Sequence, residues 1–372
     1  MTKSFKVIIV GGGHNGLVCA TYLAAAGHQV QVLEARDSLG GGAATSEFAK
    51  GYRVSGLAHI LHSLSPKVRK DLKLDTAGLE PGSAVETIAL DTAGQHIRIG
   101  STEVSGDGLS AEDINAYRQF KADFTHYAGA LQPLIMNKPP RLKGMDGKDK
   151  TTLAKLGWQL RFGLGKKSMR EFLRVGGINI YDVLNEVIDS PQLKGAIAVD
   201  AVLGQHMGPR TPNSVLTYLH RLWGETHSQA SLPAGGMGQV ASALEWAATD
   251  AGVSLRTSAA VARITVSDGL AKGIELRSGE CLEADIVVSN ADAKTTFLDL
   301  VDSAELDAMF VHRVNSIRSL GNVAKLHFAL NGLPKINGLL QEGLGHRLLI
   351  APNMRYVEHA FNHAKYGEFS EN

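Results

Sequence analysis

Gly11, Gly13 and Gly16, followed by Glu34, are the residues of this 372-residue sequence whose types and spacing could do chemistry. A Gly-x-Gly-x-x-Gly turn suits a pyrophosphate. The first glycine permits the tight turn, the second lets backbone approach the phosphates with no Cβ between, and the third lets a helix pack closely on a strand. The helix N-terminus that follows offers free N–H groups and a partial positive charge. Glu34 would accept hydrogen bonds from a ribose hydroxyl pair and repel a 2′-phosphate. The bland alternative is a glycine-rich turn that holds no ligand, and the surrounding elements argue against it.

Those elements change period twice. Val7 to Val10 is a short, solidly apolar run, as expected of a strand buried on both faces. Leu17 to Ala26 reads as a helix stopped by Gly27, and Gln29 to Leu33 as a second strand. The result is a parallel, right-handed β-α-β unit with the glycines at its first turn. The unit alone leaves FAD and NAD both open. Gly40-Gly41-Gly42, between Arg36 and Thr45, forms a second glycine turn, whereas an NAD domain would normally run on into further βα units.

From Leu74 to Gln229 the pattern reads as a separate, partly helical lobe. Its helices are expected at Ala111 to Leu134, Leu153 to Val175 and Ile180 to Val202, with a Pro- and Lys-rich connector at Asn137 to Lys150. Regularity returns at Pro233-x-Gly235-Gly236-Met237-Gly238 and a helix at Val240 to Ala251. Short strands follow at Val253 to Arg256, Ala260 to Val266, Ala271 to Leu276 and Asp285 to Val288.

Val7 to Thr45 resembles the flavin-binding N-terminus of the phytoene-dehydrogenase-like group of FAD-dependent amine oxidases and desaturases. Pro233 to Gly238, the strands around Val261, and Val287-Val288-Ser289-Asn290-Ala291-Asp292 resemble that group's second FAD-domain segment. Asp200 to Gly224 and Lys325 to Pro334 are similar to the branch called pyridine nucleotide-disulfide oxidoreductase domain-containing protein 2. A dithiol-disulfide mechanism needs a nearby cysteine pair, and Cys19 and Cys281 are far apart in the chain.

The resemblance implies an α/β fold: a glutathione-reductase-like, Rossmann-type FAD-binding domain with an inserted α+β substrate lobe. The FAD domain would occupy 1–73 and 230–300, the substrate or cap lobe 74–229, and a further substrate-domain segment 301–372. FAD is the implied cofactor. Its adenosine diphosphate would meet Gly11, Gly13, His14, Asn15, Gly16, Glu34, Ala35, Arg36, Gly41 and Gly42, with the backbone of Val261 at the adenine. The implied reaction removes hydride from a C–C or C–N bond of a small-molecule substrate to the flavin, which oxygen, a quinone or another acceptor then reoxidises. Similar proteins carry a further C-terminal segment with another glycine-rich turn. The chain stops at Asn372 after Lys365-Tyr366-Gly367-Glu368, so the expectation is a piece lacking that segment, with an open flavin site.

Catalytic side chains are harder to read, because in desaturase-type flavoenzymes the cofactor does the hard step. Fourteen histidines are scattered along the chain, and most such residues are surface or core groups. His59 and His62 stand out because they follow Gly51 to Gly56, a stretch that lies near the flavin in similar proteins. His220 precedes the Pro233 turn. The two cysteines supply no metal-ligand cluster and fit a reducing compartment.

With 38 Lys plus Arg against 37 Asp plus Glu, no bulk field favours nucleic acid. No apolar stretch approaches a membrane span or a secretory leader, so a soluble, cytoplasmic protein is expected. Lys138 to Arg174 holds eleven Lys or Arg against three acids, with Trp158, Phe162, Phe172 and several leucines interleaved. It reads either as a solvated helix face or as a peripheral contact with an anionic membrane. Two further functional readings stay open: a non-catalytic dinucleotide-binding protein acting through partner contacts, and an NAD-linked dehydrogenase without flavin.

Overall fold

The apolar run Val7 to Val10 forms the strand Lys6–Val10, an inner strand of a parallel sheet, in the computed structural model, which describes residues 3–371. The sheet order is Ser254–Arg256, Gln29–Leu33, Lys6–Val10, Ile286–Ser289. Val7 faces Val30 on one neighbour and Ile286 on the other. Val7 and Ile9 pack into a core with Leu17, Ala20, Leu244 and Ala247. Ile8 and Val10 point to the opposite face, against Ile264, Ile274 and Leu276. Burial on both faces is why the strand shows no polar alternation.

The helix His14–Ala25 joins the first two strands and packs against the helix Gly238–Asp250. Covering the other face, Val261–Ser267, Leu270–Leu276 and Cys281–Glu283 form an antiparallel meander. These elements belong to one unit, Met1–Ser83, Ser231–Ser319 and Lys325–Ala329. It extends past the expected ends at 73 and 300. Leu74 and Leu79 are buried in the core that holds Leu17, and burying a leucine contributes about 1.5–3 kcal/mol. Leu300 and Val301 lie in the core with Ile8, and the Phe297 and Phe310 rings meet edge to face at 4.9 Å. The contacts therefore assign 74–83 and 301–319 to this unit.

The second unit comprises Ala84–Ala230, Leu320–Ala324 and Leu330–Asn372. Its four-stranded sheet runs Arg347–Leu349, Thr87–Ala89, Ile97–Ile99, Val104–Ser105, parallel only in the first pair. The helix Ala111–Ala130 begins where Ser110 accepts the Asp113 N–H at 3.0 Å. It buries Tyr117, Phe120, Phe124 and Tyr127 against Tyr218 and Leu219 of the helix Ser214–His227.

All three expected helices are interrupted, and Ala111 to Leu134 divides at Leu131 into Ala111–Ala130 and the short helix Gln132–Ile135. Ile180 to Val202 divides into Ile180–Val187 and Pro191–Val202. Ile188 is extended, and Ser190, which precedes the proline, caps the second helix through the Leu193 N–H. Leu153 to Val175 divides into Gly147–Trp158, a wide π turn at Gln159–Gly163, and Gly165–Val175. Along this stretch Leu164 and Phe172 are buried, while Trp158, Phe162 and Leu173 are exposed. No helix among the described residues is long and apolar enough to cross a membrane.

Candidate dinucleotide-binding site

At the end of the first strand, the Gly11 N–H donates to the Leu33 carbonyl at 2.8 Å, and the chain turns with Gly11 at φ +99°. Gly13 is the N-cap of the helix and brings no side chain to cap it. The N–H groups of the first helical turn are thereby left for a ligand. Gly16 lies on the inner side of that turn, where a Cβ would stand 2.3 Å from the Gly11 carbonyl oxygen. Only a glycine permits this approach of helix to strand end.

The second glycine turn packs backbone to backbone on the first. The Gly40 N–H donates to the Gly12 carbonyl at 2.8 Å, and Gly13 and Gly40 form a parallel bridge. Gly41, at φ +57°, would carry its Cβ 3.0 Å from the Gly13 Cα. A side chain there would fill the approach to the first turn.

Glu34, at the end of the second strand, is only 8% exposed. One carboxylate oxygen accepts the Gly12 N–H at 2.8 Å and the other the Arg36 N–H at 3.0 Å. Each oxygen keeps a further lone pair for a ligand. Asn290, just past the strand Ile286–Ser289, lays its side-chain amide across the glycines and donates to the Gly11 carbonyl at 3.4 Å. Asp292 accepts from the Thr295 hydroxyl at 2.6 Å and from the Thr295 and Lys294 N–H groups. The Thr295 hydroxyl and these N–H groups together outweigh desolvation and hold its carboxyl below the usual aspartate range.

The glycine turns, Glu34 and Asn290 border a cavity of about 760 Å³, and Asp292 stands outside its lining. Gly11, Gly13, His14, Asn15, Glu34, Ala35, Arg36, Gly41, Gly42 and Val261 all line it. Gly16 supports the turn from behind. The lining also includes Ala262, Arg277, Asn290, Ala291, Thr295 and Asp299, to which the sequence reading gave no role. Asn290 lies within a stretch that the family resemblance covered, so that stretch was the available signal.

The candidate histidines are not brought together. His59 lines a different cavity of the same unit with Thr45, Ser55 and Gly236, and His62 lines an apolar one with Val68 and Leu244. His220 is exposed on the helix Ser214–His227 of the second unit. Lys325, another residue without an assigned role, donates to the carbonyls of Ser55 and Leu57 at 2.6 and 3.0 Å, and burial lowers its pKa. Both cysteines are free thiols, and burial pushes the Cys19 thiol up. Among the described residues no group of three or more His, Cys, Asp or Glu could hold a metal ion.

With this geometry in view, comparison with known proteins gives a consistent outcome. Residues 9–73 match the family described as NAD(P)-binding Rossmann-like domain. The chain is similar to pyridine nucleotide-disulfide oxidoreductase domain-containing protein 2 of Mus musculus, at 29% identity over 364 residues, covering 90% of this chain and 61% of that protein. It is also similar to phytoene desaturase (neurosporene-forming) of Rhodobacter capsulatus, at 23% identity, covering 98% of this chain and 66% of the desaturase. The chain thus spans about three fifths to two thirds of these relatives' length. Among solved structures, an oxidoreductase from Methanosarcina mazei superposes with a TM-score of 0.52 at 20% identity, over 84% of this chain and 65% of that one. The fold is Rossmann-type α/β, and the resemblance to phytoene-dehydrogenase-like proteins extends over nearly the whole chain.

Proposed function

We propose that this chain carries the FAD-binding unit of an oxidoreductase of the desaturase or dehydrogenase type, acting on a C–C or C–N bond of a small molecule. The observation that carries the reading is the pairing of the two glycine turns. Gly13 and Gly41 keep open a groove that a Cβ on Gly41 would narrow, and Glu34 stands at its far end with lone pairs to spare. The lining fits an adenosine diphosphate: helix N–H groups for the phosphates, a carboxylate for the ribose, and the backbone of Val261 beside Ala262 for the base. FAD is favoured over NAD because the chain after Glu34 goes to Gly40–Gly42 and the hairpin Thr45–Ala49 with Tyr52–Ser55, not to another βα unit.

Bound there, FAD would supply a hydride acceptor for the substrate. Gly11 and Gly13 would admit its phosphates and Glu34 would fix its ribose, while Asn290 braces the turn. The similarity to a phytoene desaturase supports oxidation of an apolar substrate. The exposed pair Trp158 and Phe162, with ring centroids 4.5 Å apart and Lys155, Arg161 and Lys166 exposed beside them, supports peripheral contact with an anionic membrane.

The visible absorption spectrum of the purified protein, before and after heat release of bound cofactor, tests the central reading. Stoichiometric flavin is the expected result. A colourless protein that takes up no added FAD overturns it, and stabilisation by nicotinamide dinucleotide in that protein would establish the NAD-linked reading instead.

A further inference from the structure

The second unit encloses a chain of five alternating charges. Lys121 Nζ lies 3.0 Å from Glu225, Arg221 Nε 3.1 Å from the other Glu225 oxygen, Arg221 Nη2 3.6 Å from Asp200, and Arg347 Nη1 2.5 Å from the same Asp200 oxygen. The five side chains are between 12 and 22% exposed. Three cations face two carboxylates, so one positive charge is left over.

Two guanidinium nitrogens also lack hydrogen-bond acceptors. Arg347 Nη2 and Arg221 Nε are buried without one. The 3.1 Å approach of Arg221 Nε to Glu225 is therefore a meeting of charges in which the N–H is not aimed at the oxygen. Unpaired buried donors and an uncompensated buried charge both cost free energy unless something fills the place.

Beside this chain lies a cavity of about 380 Å³, toward the small end of the roughly 300–1,000 Å³ typical of ligand pockets. Lys121, Asp200, Arg221 and Glu225 line one part, and Tyr117, Tyr218, Ile99 and Ile197 supply aromatic and aliphatic wall. The other ionisable groups on the lining do not cancel the surplus. Glu86 is paired with Arg98 at 3.2 Å, and His346 Nδ1 accepts the Glu86 N–H at 3.3 Å. Burial pushes the Tyr117 and Tyr218 hydroxyls up, so they stay neutral. Burial would raise the Asp200 carboxyl, but Arg221, Arg347 and Lys121 outweigh it and keep the group ionised.

We propose that this cavity is a binding site for a small organic monocarboxylate whose single charge neutralises the surplus cation and whose apolar body rests on the tyrosine and isoleucine wall. The charge balance selects one negative charge over two, since a phosphate dianion would leave the site negative. Lys121 and Arg221 are the cationic side chains on the lining that a carboxylate would meet. The site is built wholly from the second unit and stands whether or not the flavin reading holds.

The test is calorimetric titration of the full chain with benzoate and hexanoate, with benzamide as neutral isostere and inorganic phosphate as dianion. Saturable binding of at least one carboxylate is expected, with benzamide and phosphate at least tenfold weaker. Lys121→Gln removes the surplus charge and is expected to weaken the carboxylate at least tenfold. Glu225→Gln doubles the surplus and is expected to tighten it. A purely structural network would not move the two variants in opposite directions. Binding of neither carboxylate, equal binding of benzoate and benzamide, or a shift in the same direction for both folded variants overturns the proposal. Should Lys121→Gln fail to fold, the wild-type comparison of benzoate with benzamide still decides.

Discussion

The Gly12 N–H donates to the Glu34 carboxylate at 2.8 Å, so the residue proposed to hold a ribose also braces the turn proposed to hold the phosphates. With the Arg36 N–H on its second oxygen, the carboxylate ties the end of the second strand to the first glycine turn. One side chain couples the two halves of the cradle.

Glu34→Ala should weaken FAD binding by about 1–3 kcal/mol, the usual effect of losing charge-assisted hydrogen bonds and leaving a buried N–H unpaired. Glu34→Gln keeps one acceptor oxygen and should lose less. Titration calorimetry of the apoprotein measures both, and an unchanged affinity in Glu34→Ala would remove the carboxylate from the site.

Gly13 and Gly16 should separate binding from folding. A Cβ at Gly13 meets the movable Asn290 amide at 3.0 Å and the Gly41 Cα only at an ordinary 3.8 Å, whereas at Gly16 it meets the fixed Gly11 carbonyl at 2.3 Å. Gly13→Val should therefore abolish dinucleotide binding and leave the melting temperature nearly unchanged. Gly16→Ala should lower the melting temperature itself, by a cost of about 1–3 kcal/mol typical of overpacking. Stoichiometric cofactor in folded Gly13→Val would sink the phosphate assignment.

Asn290 offers a charge test at almost constant shape. Asn290→Asp places a carboxylate beside the turn proposed to receive phosphates and loses the donor to the Gly11 carbonyl, so FAD affinity should fall at least tenfold with a smaller loss of thermal stability. Asn290→Ala should fall less. If the two variants bind alike, the amide only fills space.

Asp292 predicts an acid-limb effect. Its folded pKa lies below the ordinary aspartate value, chiefly through the Thr295 hydroxyl. The stabilisation is present above the unfolded pKa and is lost as pH falls through the folded one. Asp292→Asn should flatten the decline of stability between about pH 5 and the acid limit, with little dependence on pH near neutrality, as acid unfolding curves would show.

The proposed membrane contact makes a spectroscopic prediction. Trp158 emission should shift to the blue on adding phosphatidylglycerol vesicles, and raised salt should reverse the shift as surface charges are screened. Lys166→Glu with Lys167→Glu should abolish it. Equal shifts with neutral phosphatidylcholine vesicles would return the basic stretch to a solvated helix face.

How much of this was legible depended on how local each signal is. Gly11, Gly13, Gly16 and Glu34 fall within one β-α-β unit, and their spacing carries its own geometry. Asn290, Thr295 and Asp299 reach the cavity from the far end of the chain, and no periodicity marks them. In the second unit Lys121 and Asp200 fall in stretches read as helix and Arg221 in one given no element, and only packing of three helices and a strand shows them to be buried and paired. The break at Ile188 to Ser190 was signalled by Pro191, but the apolar period continuing on both sides outweighed it. The boundary at 73 was misplaced because Leu74 and Leu79 sit in a stretch without regular pattern while packing under the first helix.

The strand order of the dinucleotide-binding sheet bears on how this protein is made. Val7 pairs with Ile286, and the Lys6 N–H donates to Asp285 across a separation of 279 residues. On a ribosome, the first strand emerges long before its neighbour exists, and the Ala84–Ala230 segment of the second unit is threaded between them. Such distant pairing slows folding, and it leaves the edge presented by Ile8 and Val10 open to unintended partners until the return strand arrives. The first thirty residues thus carry the glycine turn well before the sheet that supports it can close.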